Sequence, residues 1–273
     1  MKTAPQEMEE KIGELKHKKK DNGMGGKTKR FVQTWKQIGK EDFINTGFYL
    51  KSKDQNSQQR LEENKMIKSF RGMKEEKEAY QKNVERRFGR RNRNKDSGQS
   101  KLNAQIGKLH FKMYGLEEVQ YLANQMDYAT SLDLKSAFHR NTVSPNSIPY
   151  LAFNFNNNNY TYKAMPFGAK HSQIFFAEAI ESILRQIRIH SQVKVLNYCD
   201  DILLIHQDKQ ILKTQTIEIL KTLEQFRWII STEKCEKNPK QIISFLKQIR
   251  NLKEMNIRMS EERQLKIIQA LND

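Results

Sequence analysis

The sequence predicts an α+β fold, an antiparallel sheet with helices packed on it, and three observations carry the prediction. Apolar residues Phe176, Ile180, Ile183, Leu184 and Ile187 recur at helical spacing between Ser172 and His190, and Leu212, Thr216, Ile219, Leu220, Leu223 and Phe226 repeat that spacing further on. Two extended runs, 150–155 and 160–164, flank four asparagines at 156–159, a residue that tolerates the left-handed geometry of a hairpin turn. VLNYCDDILLI, at 195–205, sets two apolar arms around a polar centre and reads as a second hairpin with its turn at the acids. With a buried strand around Leu132 and Leu134 and another at 228–231, the order is strand, hairpin, helix, hairpin, helix, strand. Such an order describes one sheet with helices segregated to a face.

The N-terminal third is different. Residues 1–30 carry a Lys-rich run and then DNGMGGK, which is turn chemistry, so a disordered basic tail is expected there. Gly26, Lys27 and Thr28 do not make a phosphate-binding loop: Asp21 stands where that loop needs a glycine, and no apolar strand precedes it. Short apolar patches among many Lys, Gln and Glu suggest a weakly ordered stretch over 31–100, ending in the basic loop RRFGRRNRNKDSGQS at 86–100.

Charge narrows the class of partner. The chain of 273 residues carries a formal net charge of +17, which favours a polyanion. Residues 1–100 hold 26 Lys and Arg against 15 Asp and Glu, so the excess concentrates in that third, as a binding surface or simply a solvated arm. Two cysteines, Cys199 and Cys235, are too few for a disulfide framework and lack zinc-ligand spacing. No apolar run of membrane-spanning length and no signal-peptide core is present, which predicts an intracellular protein of cytoplasm or nucleus with no membrane partner.

The residues that suggest chemistry are acids in apolar settings. Asp200 and Asp201 lie between Val195–Leu196 and Ile202–Ile205. Adjacent carboxylates beside a core repel unless a cation neutralises them, and Mg2+, a hard ion with oxygen ligands, is the natural counter-charge. Taken alone, the pair is explained more simply by an acidic turn exposed at a hairpin tip. Asp133, between Leu132 and Leu134, is a third such acid, although it also suits a helix N-cap before Ser136. If the strands are neighbours, the three acids can share two metals placed for an in-line displacement.

SLDLKSAF, MPFGAKHSQIFF, NYCDDILLI and STEKC, in that order, resemble the motifs of reverse transcriptases, most closely those of long-terminal-repeat and tyrosine-recombinase (DIRS-like) retrotransposons. The resemblance covers residues 102–273 and implies a right-hand polymerase palm over 101–245 and the start of a thumb over 246–273. It implies RNA-directed DNA synthesis with two Mg2+ (Mn2+ as a substitute) on an RNA template, a DNA primer and deoxynucleoside triphosphates. By position, Asp133, Asp200 and Asp201 match the metal-binding acids, and Lys234 matches the lysine that protonates departing pyrophosphate. Phe138 matches the aromatic gate beneath the sugar, Phe167 and Gly168 the floor of the nucleotide pocket, and Tyr198 a residue by the primer end. His139 and His171 lie within motifs but are expected to be structural.

The pattern departs from the family in places. Gln173 replaces the usual proline after Ser172, and Arg227 and Lys247 replace common glycines. A positive φ at either would strain the backbone by about 1 kcal/mol or more. The fingers hairpin that clasps triphosphate falls at 86–100, which lacks strand patterning, and no ribonuclease H segment is seen. The expectation is a truncated or degenerate copy with incomplete fingers, and the alternative function is an inactive polymerase remnant that only binds nucleic acid.

Overall fold

The computed structural model describes residues 26–63, 68–69, 102–110, 116–155 and 158–272. Contacts divide the chain into two units, and every described residue belongs to the one formed by Gly25–Arg71 and Arg93–Asp273. The other, Met1–Met24 with Gly72–Asn92, lies outside the described residues. So do the expected basic tail as far as residue 25 and the whole basic loop 86–100.

A four-stranded antiparallel sheet organises the described unit. Its order is β5 (Lys194–Tyr198), β6 (Asp201–His206), β2 (Tyr128–Asp133) and β7 (Glu236–Lys240). Alternation along these strands makes two apolar faces. Leu132, Val195, Ile202 and Leu204 face a main core, while Ala129, Leu196, Leu203 and Ile205 face a second, smaller one.

Two long helices cover the main face. In α5 (Ser172–His190), Phe176, Ile180, Ile183, Leu184 and Ile187 are all buried, at the spacing the sequence predicts. Asp208 caps α6 (Lys209–Gln225), its carboxylate accepting from the amides of Gln210 and Ile211 at 2.7 and 2.8 Å. Thr216, which donates to the Leu212 carbonyl, accepts from the Thr130 hydroxyl at 3.0 Å and seats α6 on β2. The second face is covered by α4 (Leu116–Leu122) and by a three-stranded antiparallel sheet of β8 (Ile242–Phe245), β9 (Gln248–Asn251) and β10 (Asn256–Met259). Helix α7 (Glu261–Asn272) follows.

Residues 26–63 contribute more than their polar composition suggests. Helices α1 (Val32–Lys36), α2 (Glu41–Thr46) and α3 (Gln55–Glu63) bring Trp35, Ile44 and Leu61 into the main core, and Phe48, bridged to Val143 after α2, joins them. A few large side chains spaced among solvated ones are enough to dock such short helices. Gly26 donates to the His139 carbonyl at 2.9 Å, and the buried Thr28 hydroxyl donates to the Arg140 carbonyl at 3.0 Å. Thr28 is therefore a packing residue, in line with rejecting a phosphate loop.

Two expected strands are adjusted. The 228–231 run makes only an isolated bridge, Leu134 to Ile230, and the edge strand is β7. Trp228 is needed in the core, which turns the chain inward after α6. The asparagine hairpin forms between β3 (Ala152–Phe155) and β4 (Asn158–Thr161), with the two-residue β1 (Lys68–Ser69) parallel to β3. Among the described residues, no helix is long and apolar enough to cross a membrane.

Candidate active site

Strand register brings the acids together. Asp133 ends β2 directly opposite Asp201, the first residue of β6, and Asp201 in turn stands opposite Tyr198, the last residue of β5. Directly paired residues project to the same side of a sheet. Asp133, Asp201 and Tyr198 thus form one row across three strands at one edge, on the face of the smaller core. Asp200 lies in the two-residue turn between β5 and β6, and its carbonyl accepts from the Leu134 amide at 2.8 Å. The turn of the second hairpin is locked against the end of β2.

Lys234 reaches the same corner. Its ammonium lies 3.5 Å from the Asp133 carboxylate, which is 13% exposed against 56% for the lysine. Such a half-exposed ion pair contributes little to stability, so the contact matters for placement. Next to it, the Cys235 thiol accepts from the Asp133 amide at 3.0 Å, carrying the β2–β7 contact past the Ser131–Glu236 pair. A cavity of about 420 Å³, lined by Ser131, Lys234, Cys235, Ile243, Ser244 and Ile249 among others, lies between this corner and the β8–β9 hairpin.

The local field is negative. Burial pushes the Cys199 thiol up to about 11, with Asp200 and Asp201 adding to the shift. Burial likewise raises the Cys235 thiol, against the opposing hydrogen bond from Asp133. Among the described residues, no three His, Cys, Asp or Glu side chains are gathered closely enough to hold a metal ion. The backbone register nevertheless puts three hard-oxygen donors at one corner, the donor chemistry that magnesium takes.

A second group of predicted residues meets at an aromatic floor. Phe138 follows β2 in a 3₁₀ turn, Phe138–Arg140, which begins after Ala137, so Asp133 does not act as a helix cap. The Phe138 ring packs edge-on against Phe167 with centroids 5.2 Å apart and against Phe176 at 4.9 Å. Phe138 is buried, whereas Phe167 is 53% exposed and presents its outer surface to solvent. Gly168 adopts a φ of +94°, a conformation that a side chain would strain.

His171 is buried, its Nδ1 accepting from the Lys51 amide at 3.3 Å and its Nε2 donating to the Gly107 carbonyl at 2.9 Å. Burial lowers the pKa of both His171 and His139. Arg227 and Lys247, the departures at expected glycines, do have positive φ, +63° and +62°. Sequence reasoning gave no role to Cys235, although it ends STEKC beside Lys234. It also missed Asn103, whose only signal was its place ahead of the aromatic floor's loop.

The antiparallel sheet with its packed helices has the α+β architecture of a polymerase palm, and comparison with known proteins agrees. Residues 92–248 match the reverse transcriptase (RNA-dependent DNA polymerase) family model. The chain belongs to that family. It is 36% identical over 81 residues to the retrovirus-related Pol polyprotein from transposon opus of Drosophila melanogaster, spanning 30% of this chain and 8% of that protein. It is 32% identical over 112 residues to the Gag-Pol polyprotein of gibbon ape leukemia virus, spanning 38% and 7%. The matches therefore span less than a tenth of these relatives. In fold, the chain is similar to the foamy viral protease-reverse transcriptase in complex with RNA/DNA hybrid, with a TM-score of 0.59, 14% identity, and 85% and 37% of the two chains covered.

Proposed function

We propose that this chain is the catalytic core of an RNA-directed DNA polymerase, which transfers deoxynucleotides to a primer 3′ end by two-metal nucleotidyl transfer. The observation that supports it best is the row Asp133, Asp201 and Tyr198 across adjacent strands, with Asp200 tied to Leu134. Asp133, Asp200 and Asp201 would hold Mg2+, or Mn2+ in its place, and the bound ions would supply the positive charge that eases loss of the primer hydroxyl proton and steadies the leaving oxygen.

The rest falls to the chain. Lys234 carries a proton at Nζ beside Asp133, where it can be passed to departing pyrophosphate. Phe138, held against Phe167 and Phe176, puts a ring edge where a 2′-hydroxyl would clash and so favours deoxynucleotides. Phe167 and Gly168 form the floor on which the nucleotide rests, and Tyr198 lies beside the acids at the primer end. The partners are an RNA template, a DNA primer and deoxynucleoside triphosphates, with the net charge of +17 favouring the two nucleic acids.

Primer extension on an RNA template with deoxynucleotides and Mg2+ is the test. Asp200→Asn combined with Asp201→Asn is expected to lower the rate at least a thousandfold, about 4 kcal/mol of barrier. Undiminished extension by that variant would remove the mechanism. A second reading, binding of nucleic acid without synthesis, is favoured by the absence of a gathered metal-ligand group among the described residues. It predicts salt-sensitive, sequence-indifferent binding and no extension by the unaltered chain.

A further inference from the structure

A side chain from outside the loop helps to hold the segment that carries the aromatic floor. Asn103 lies in the short helical turn 102–105, about sixty residues before the floor. Its Nδ2 donates to the Gly168 carbonyl at 3.0 Å, and its Oδ1 accepts from the Lys170 amide at 2.8 Å. The two contacts determine which way the amide faces, because the flipped group would set N–H against N–H and oxygen against oxygen. Asn103 therefore spans Gly168 and Lys170 as a strand partner would, from a segment that makes no strand there.

The turn that carries Asn103 is itself anchored. Leu102 and Ile106, one helical turn apart, are both buried in the main core, which fixes the direction of the residue between them. Three more bonds tie the same segment in place. Lys170 Nζ donates to the Ile106 carbonyl at 3.1 Å, His171 Nε2 to the Gly107 carbonyl at 2.9 Å, and the Gly107 amide to the Lys51 carbonyl at 3.0 Å. Gly168 meanwhile holds a left-handed conformation that an untied loop would leave readily. A displacement there moves Phe167, and Phe167 is the ring that leans on Phe138.

We propose that Asn103 is a positioning residue for the incoming nucleotide, setting the height of the Phe167–Gly168 floor and with it the fit of the sugar against Phe138. The inference rests on the polymerase reading above. Asn103 touches no reacting atom in this scheme. It acts on nucleotide affinity and sugar selection, leaving the acid corner and the grip on primer and template as they are.

Asn103→Ala and Asn103→Asp separate the two bonds. Alanine removes both. Aspartate keeps an acceptor for the Lys170 amide, loses the donor and sets an anionic oxygen against the Gly168 carbonyl. In primer extension by the whole chain, both variants are expected to raise KM for deoxynucleotide about tenfold, with kcat and primer–template affinity within about twofold of the unaltered protein. Discrimination against ribonucleotides should fall alongside. Amide hydrogen exchange over 167–171 should quicken in Asn103→Ala, while the Lys170 amide stays protected in Asn103→Asp.

A variant that melts lower yet keeps the original KM, or one whose loop exchange is unchanged, assigns Asn103 to folding alone and overturns the proposal. If the unaltered chain extends primers and the variants match it, only this inference falls. If the unaltered chain neither extends primers nor binds deoxynucleotide, the polymerase reading falls and takes the inference with it.

Discussion

Among the described residues, two hairpin turns are two residues long, and they treat strain in opposite ways. Between β5 and β6 the turn is Cys199–Asp200, and Cys199 has a φ of +52°. Between β8 and β9 it is Leu246–Lys247, at +50° and +62°. Tight hairpins favour glycine or asparagine at such positions, since a β-carbon there costs about 1 kcal/mol or more per residue. The first turn is held by its surroundings: Cys199 packs on the main core, and the Asp200 carbonyl takes the Leu134 amide. In the second, Leu246 leans on the smaller core but Lys247 is exposed, its carbonyl accepting a long 3.4 Å bond from the Ser260 amide. Strain persists where tertiary contacts over-determine it and where it delivers acids to a site, and elsewhere it is simply a loss.

The sharpest way to break the comparison is chemical. With its thiol pushed up to about 11 by burial and by Asp200 and Asp201, Cys199 holds about one thiolate in a thousand at pH 8. Its alkylation by iodoacetamide should run roughly two orders of magnitude slower than that of a free cysteine. A cysteine placed at the other turn, in Lys247→Cys, should react at close to the free rate. Mass spectrometry of timed reactions reads both sites. Comparable rates would mean that the acid turn opens in solution and that its strain is not held by the core.

Stability gives the next largest difference. Leu246→Asn with Lys247→Gly supplies the residues a left-handed pair prefers, and should raise stability by about 1–2 kcal/mol. For a folded unit of this size the melting midpoint should rise by roughly 2–6 °C. Cys199→Gly should bring no such gain, since relief at the backbone is offset by the loss of a packed side chain. A midpoint that rises for Cys199→Gly as much as for the hairpin pair would erase the distinction.

Much of this was legible in the sequence, and the reason is periodicity. The α5 and α6 stripes and the apolar arms around Tyr198–Asp201 carry period and polarity together, so element type and register follow from them. The acid corner was legible because Asp133 and Asp201 stand directly beside apolar strand residues, Leu132 and Leu134 in one case and Ile202 to Ile205 in the other. Residues 26–63 were not, because Trp35 and Phe48 belong to short apolar patches without a sustained period, set among polar neighbours, and only their burial shows that they dock. Strand 228–231 was misread because Trp228 and Ile230 serve the core from an irregular segment, and apolar runs of that length do not reveal their partners. Asn103 was invisible for another reason. Its two bonds go to backbone atoms of Gly168 and Lys170, which leave no complementary residue type to find.

The smallest effect, and the one that tests the strain argument most closely, is at the end of α6. Arg227 there is left-handed at +63°, with its amide on the Glu224 carbonyl at 2.8 Å and the Trp228 amide on the Leu223 carbonyl at 3.0 Å. Those two bonds make a Schellman cap, whose left-handed residue is usually glycine. Arg227 also lays its guanidinium over the Phe31 ring, 4.4 Å from the centroid, tying the helix end to the N-terminal segment. Such a contact contributes about 0.5–1 kcal/mol at a partly exposed site, close to the backbone cost of an arginine at that φ. Arg227→Gly should therefore shift the melting midpoint by no more than about 2 °C in either direction. Arg227→Ala keeps the strained β-carbon and loses the ring contact, so it should fall clearly below both. If alanine and glycine melt together, the left-handed cost is absent at this cap, and the case for relieving it at Leu246 and Lys247 weakens with it.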